Sequence, residues 1–78
     1  MSAIAEVNGV YVVVDSEGNY YYVDGNQGTK QKGGKLSGKG PYVVACSEGN
    51  KVETCVVADS AGNCWHGAPR GGGLSPTK

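Results

Sequence analysis

An eight-residue phrase occurs three times in this chain: VVVDSEGN at residues 12–19, VVACSEGN at 43–50 and VVADSAGN at 56–63. Each copy sets a run rich in valine against Asp or Cys followed by Ser-x-Gly-Asn. Valine is stiff at χ1 and favours extended backbone, while the polar end suits a type I turn whose glycine takes the left-handed position of a G1 bulge. The phrase therefore predicts three β-hairpins: residues 10–14 against 20–23, 42–46 against 51–54, and 56–58 against 64–66. The turn-forming residues are Gly18 and Asn19, Gly49 and Asn50, and Gly62 and Asn63. Because copies two and three begin thirteen residues apart, the returning strand of the second hairpin continues as the outgoing strand of the third. The expected fold is all-β, a small antiparallel meander of about five strands, forming a sheet, small open barrel or sandwich.

No stretch shows the i, i+3, i+4, i+7 periodicity of an amphipathic helix, and 14 glycines interrupt the chain throughout. Seventy-eight residues form one domain, and a chain this short buries only roughly 60% of the surface it exposes when unfolded. Phenylalanine is absent and leucine scarce, so Val, Tyr and Trp65 must make the core. Five parts are expected: an N-terminal arm (1–9), the first hairpin (10–24), a Gly/Lys-rich loop (25–41), the second and third hairpins (42–66) and an irregular C-terminal arm (67–78).

Domains of this size commonly need a disulfide, a metal or a partner. Cys46, Cys55 and Cys64 lie nine residues apart with His66 two beyond the last. Zinc ligands usually come in close pairs on a tight turn, a spacing that does not occur here. In the predicted register Cys46 faces Asn50 and Cys64 faces Ala58, while Cys55 points to the other face. No pair is then within bridging distance unless the long strand bends near Thr54 and Cys55. Three small buried thiols are expected, with no cofactor. Cys64 and His66 share a strand face, but two side chains without an orienting group or an oxyanion site do not make a catalytic centre, and no enzymatic activity is expected.

Charge is segregated. Residues 25–41 hold Lys30, Lys32, Lys35 and Lys39 with no acid, whereas all seven acidic residues lie elsewhere in a chain of zero net charge. These lysines can seat the loop on an acidic protein surface, or neutralise phosphates beside stacking tyrosines. The segment lacks the glycine spacing and following helix of a P-loop. Tyr20, Tyr21 and Tyr22 alternate across their strand and leave neither face of the first hairpin polar, which points to contact beyond the chain's own core. The candidate partner-contact residues are Lys30, Lys32, Lys35, Lys39, Tyr20, Tyr21, Tyr22, Arg70 and Leu74, the last two on a bridging arm after Gly67. The opening residues lack a basic, apolar signal segment, and no run is long enough for a membrane helix; the expectation is a cytosolic origin.

In its general character the chain resembles the small cement or decoration proteins of tailed-phage capsids: short, β-rich, glycine-rich and without a signal segment. The resemblance rests on no motif and assigns no residues. It implies a virion component that binds across neighbouring subunits, with a major capsid protein as partner and no cofactor. Two alternatives stand beside it: a small nucleic-acid-binding β module that uses the lysine loop, and a secreted, disulfide-stapled binding module.

Overall fold

The computed structural model describes residues 3–50, 52–70 and 72–77. The fold is all-β, with eight strands in two antiparallel sheets of four. The first sheet is the meander β1 (Ala3–Val7), β2 (Val10–Val14), β3 (Asn19–Asp24) and β4 (Thr29–Lys35). The second is β5 (Val43–Gly49), β6 (Val52–Ala58), β7 (Cys64–Gly67) and β8 (Ser75–Pro76). The inner faces of the two sheets share one core, and β1 of the first packs alongside β5 of the second.

Hairpins one and three form as their phrases predict. Val14 faces Tyr20 and Ala58 faces Cys64. In each turn the Asp N–H donates to the Asn carbonyl and the glycine N–H to the Asp carbonyl, with Gly18 at φ 91° and Gly62 at φ 89°. The aspartate side chains supply the rest. Asp15 accepts from the N–H groups of Glu17 and Asn19 and from the Asn19 amide; Asp59 accepts from Ala61, Asn63 and the Asn63 amide. Burial pushes the Asp15 carboxyl up, but the Asn19 amide and the N–H groups of Glu17, Asn19 and Gly18 together outweigh it and hold it below the usual 3.8. At Asp59 the Asn63 amide leads; with the N–H groups of Asn63, Ala61 and Lys39 it overcomes burial and also lowers the pKa.

The second copy behaves differently. Cys46 stands where the other copies have Asp, so no carboxylate is present to gather the turn amides. The strand runs on through Ser47, Glu48 and Gly49, which pairs with Val52, and the chain reverses beyond Gly49 with Asn50 at φ 49°. Gly49 is thus a strand residue rather than a turn residue. The shift puts Cys46 directly opposite Cys55, with Cα atoms 4.0 Å apart, and the two form a disulfide. The expectation of three free thiols is therefore corrected, and Cys64 alone remains free among the described residues.

Three segments read as irregular are strands. The supposed arm 1–9 contains β1, joined to β2 by Asn8 and Gly9 at φ 51° and 84°, the conformation of a two-residue type I′ turn. The supposed lysine loop contains β4, paired to β3 with a bulge at Tyr20/Tyr21. Its glycines have a steric reason: a Cβ on Gly33 would overlap the Tyr20 ring. The supposed C-terminal arm contributes β8 against β7.

Which face each hairpin buries follows its bulky aromatics. In the first sheet Val12, Val14, Tyr20 and Tyr22 point inward. In the second it is Cys55, Val57 and Trp65, so the valines at equivalent places in the phrase face opposite ways. Leu36 and Tyr42, from the crossing between the sheets, complete the core. Tyr20 meets Tyr22 edge-on at 5.9 Å and Tyr42 meets Trp65 at 6.3 Å. The phenols are satisfied: Tyr22 donates to the Gly72 carbonyl, Tyr42 donates to that of Gly38, and Tyr20 accepts from Leu74 N–H. Burial, with a smaller contribution from Tyr20, pushes the Tyr22 phenol up to about 12. Burial, then the charges of Asp59 and Asp15, also raises that of Tyr42.

Candidate functional site on the lysine edge strand

With alternate residues of the first sheet committed to the core, the others form its outer face. The pairings lay down two rows across the four strands. One is Ile4, Val13, Tyr21 and Lys32; the other is Glu6, Tyr11, Val23 and Lys30. Ile4 is 63% exposed and Tyr11 37%, Tyr21 is half-buried, and Lys30 and Lys32 are exposed. The Lys30 ammonium lies 5.0 Å from the centroid of the Tyr21 ring, close enough for a cation–π attraction of about 0.5–1 kcal/mol at an exposed site. A strip with apolar and aromatic groups at its centre therefore ends in cations at β4.

The sheet edges differ in access. β1 and β5 lie side by side. β8 is two residues long and contains Pro76, which cannot donate to a ladder. Strand β4 is the remaining edge; Thr29, Lys30, Gln31 and Lys32 are all exposed along it, as is Lys35 at its end. On its inner side a polar groove separates β4 from the segment carrying Pro69 and Arg70. Among the described residues the one ion pair is Arg70 with Glu53, at 3.1 Å, so no carboxylate engages Lys30, Lys32 or Lys35.

The sequence-predicted contact residues are thus redistributed. Lys30, Lys32 and Lys35 stand together on β4, with Tyr21 beside the first two. Lys39 is set apart in the crossing between the sheets, where its carbonyl accepts from Ser60 and its N–H helps to lower the Asp59 pKa. Tyr20 and Tyr22 are core residues and leave only Tyr21 of the three for a partner. Leu74 packs against the core. Arg70 holds Glu53 and the Asn8 carbonyl, while the Asn8 amide donates to Glu48 and Glu53. This polar clasp ties the described part of the tail to both sheets, so it is a seated segment and not a free arm.

Comparison with known protein families, curated proteins and solved structures finds no match. Val13 and Tyr11 on β2 and Ile4 on β1 surround Tyr21 on the outer face and are not among the expected contact residues; Ile4 is hidden because β1 reads as an arm, although Asn8-Gly9 between alternating runs marks it. Cys64 and His66 do share the outer face of the second sheet, Cys64 facing Ala58 and His66 facing Val56. Among the described residues no three His, Cys, Asp or Glu side chains converge as a metal-binding group. Among the described residues no helix is long and apolar enough to cross a membrane.

Proposed function

We propose that the protein is a structural interaction module that docks on other subunits of a large assembly through the outer face and edge of its first sheet. One observation carries this: Lys30, Lys32 and Tyr21 share an exposed face on which no carboxylate of the described chain engages the lysines, although net charge is zero. Such a surface complements an acidic, partly apolar protein surface. The rigid placement of the lysines on a strand strengthens the reading, because less side-chain and backbone freedom is lost on binding than from a flexible loop. A virion component of the decoration type, with a major capsid protein as partner, is the assembly that accords best with so small an all-β chain. The Cys46–Cys55 bridge accords with residence outside a reducing cytosol, since disulfides persist on virion surfaces and in secretions.

A second reading is favoured by the same face. Tyr11 and Tyr21 beside lysines also suit a single strand of nucleic acid, the rings stacking on bases and the ammoniums meeting phosphates. The two are separated by one set of measurements. Density-gradient purification of large particles from the source should recover the chain bound to them, released by raised salt and lost in the Lys30→Glu, Lys32→Glu variant. A chain absent from every such particle, with salt-sensitive affinity for oligonucleotides instead, would sink the assembly reading.

A further inference from the structure

The free edge of β4 supports a more specific statement about how the partner is held, one that rests on the docking function just proposed. We propose that an extended acidic segment of the partner polypeptide adds to β4 as a fifth strand of the first sheet.

An edge strand presents alternating N–H and C=O groups, a template matched by another polypeptide at about 3.3 Å per residue. A phosphodiester chain offers acceptors but no donors, so it would leave the edge carbonyls unmatched. This favours a peptide over a nucleic acid at the edge itself.

Side-chain register favours an acidic peptide. Lys30 and Lys32 are two residues apart and both belong to the outer face, opposite Val23 and Tyr21 respectively. A strand added beside them places its own alternate residues on that face, so an acid-x-acid pattern would meet both ammoniums. The residues between would face the side of Thr29 and Gln31, above the groove reaching to Pro69 and Arg70. That groove is polar, lined by Asp24 and by Arg70, the latter already paired with Glu53, so small or polar side chains fit there. In the unbound protein the lysines also guard the edge: like charges oppose pairing of β4 with β4 of a second copy, which would set Lys30 and Lys32 against their own counterparts. The same charges that exclude self-association select an acidic strand.

The test uses the full chain, labelled with nitrogen-15, and a capped synthetic peptide alternating Glu and Thr. Two further peptides carry backbone N-methyl groups at either the Glu or the Thr positions, and a single-stranded oligothymidylate completes the set. Addition of the unmodified peptide should perturb the amides of Thr29–Lys35 and slow their hydrogen exchange. One of the two N-methylated peptides, the one whose edge-facing donors are blocked, should bind about thirtyfold more weakly, as expected for loss of two hydrogen bonds. Lys30→Glu with Lys32→Glu should abolish binding while leaving the remaining amide shifts in place.

The outcomes separate the two levels of the claim. Equal affinity for all three peptides, with shifts confined to Tyr21 and the lysines and no slowing of exchange on β4, would overturn strand addition and leave the docking face standing. Binding of the oligonucleotide alone, or of nothing, would overturn both.

Discussion

Reduction of the Cys46–Cys55 bridge should weaken the fold by a calculable amount. The bridged residues are 9 apart in sequence, and closing a loop of that size lowers the unfolded chain's entropy by the equivalent of about 2.6 kcal/mol at 25 °C. For a domain of this size, total stability is on the order of 4–12 kcal/mol, so a fifth or more is at stake. The midpoint of thermal unfolding should fall by about 10–20 °C. Reduction is a cleaner perturbation than mutation, because Cys55 is fully buried and truncating it would add a cavity. The single tryptophan, Trp65, is buried in the core and reports unfolding by fluorescence. Urea curves are to be compared for the oxidised and phosphine-reduced protein, with thiol titration after denaturation giving one free thiol before reduction and three after. Reduction should also raise the denaturant slope, since the released chain expands further. A difference below about 0.5 kcal/mol between fully oxidised and fully reduced protein would refute the loop-closure reasoning.

Three further outcomes follow from the turns and the core. Asp59 has a folded pKa below its ordinary 3.8, so its stabilisation is present above that value and disappears as pH falls through the lower folded value; Asp59→Asn should flatten the acid limb of a stability–pH curve, and an unchanged limb would count against the turn network. Gly62→Ala should cost about 1–2 kcal/mol for the left-handed backbone, whereas Gly18→Ala should cost more in urea unfolding because its Cβ would lie 2.8 Å from the Leu36 carbonyl and the Tyr42 hydroxyl; equal costs would show that the contact is relieved elsewhere. The Tyr22 phenol is raised from 10.0 to about 12, so the folded state keeps its full stability below pH 10 and loses this contribution as pH rises toward 12. Tyr22→Phe should blunt that alkaline loss, and it should cost about 1 kcal/mol at neutral pH for the bond to Gly72.

Much of the fold is legible where side chains act on their own backbone. Asp15 and Asp59 write their turns into the sequence because each carboxylate gathers amides within four residues. Cys46 shows the limit of the repeated phrase: one replaced carboxylate moves the turn, changes the strand register and brings two cysteines together. Asn8-Gly9 was readable as a hairpin by the same chemistry. Strand β4 was not, because Lys, Gln and Gly have little strand preference of their own. It is a strand because β3 supplies a ladder and the Tyr20 ring needs the space above Gly33. The candidate site shares that difficulty. The lysines were visible as a cluster, but their common face with Tyr21, and their separation from Lys39, depend on a pairing that local sequence does not specify.

Each sheet is contiguous in sequence, and a single crossing through Leu36 joins them. Yet Val12, Val14, Tyr20 and Tyr22 of one meander are covered by Val57, Cys55 and Trp65 of the other. Cutting the chain within that crossing would yield two fragments, each carrying all the strand pairings of its own sheet and half of a hydrophobic interior. Neither half has a core to fold around alone, while together they hold every contact except the severed peptide. The molecule is in this sense a heterodimer whose subunits happen to be covalently joined.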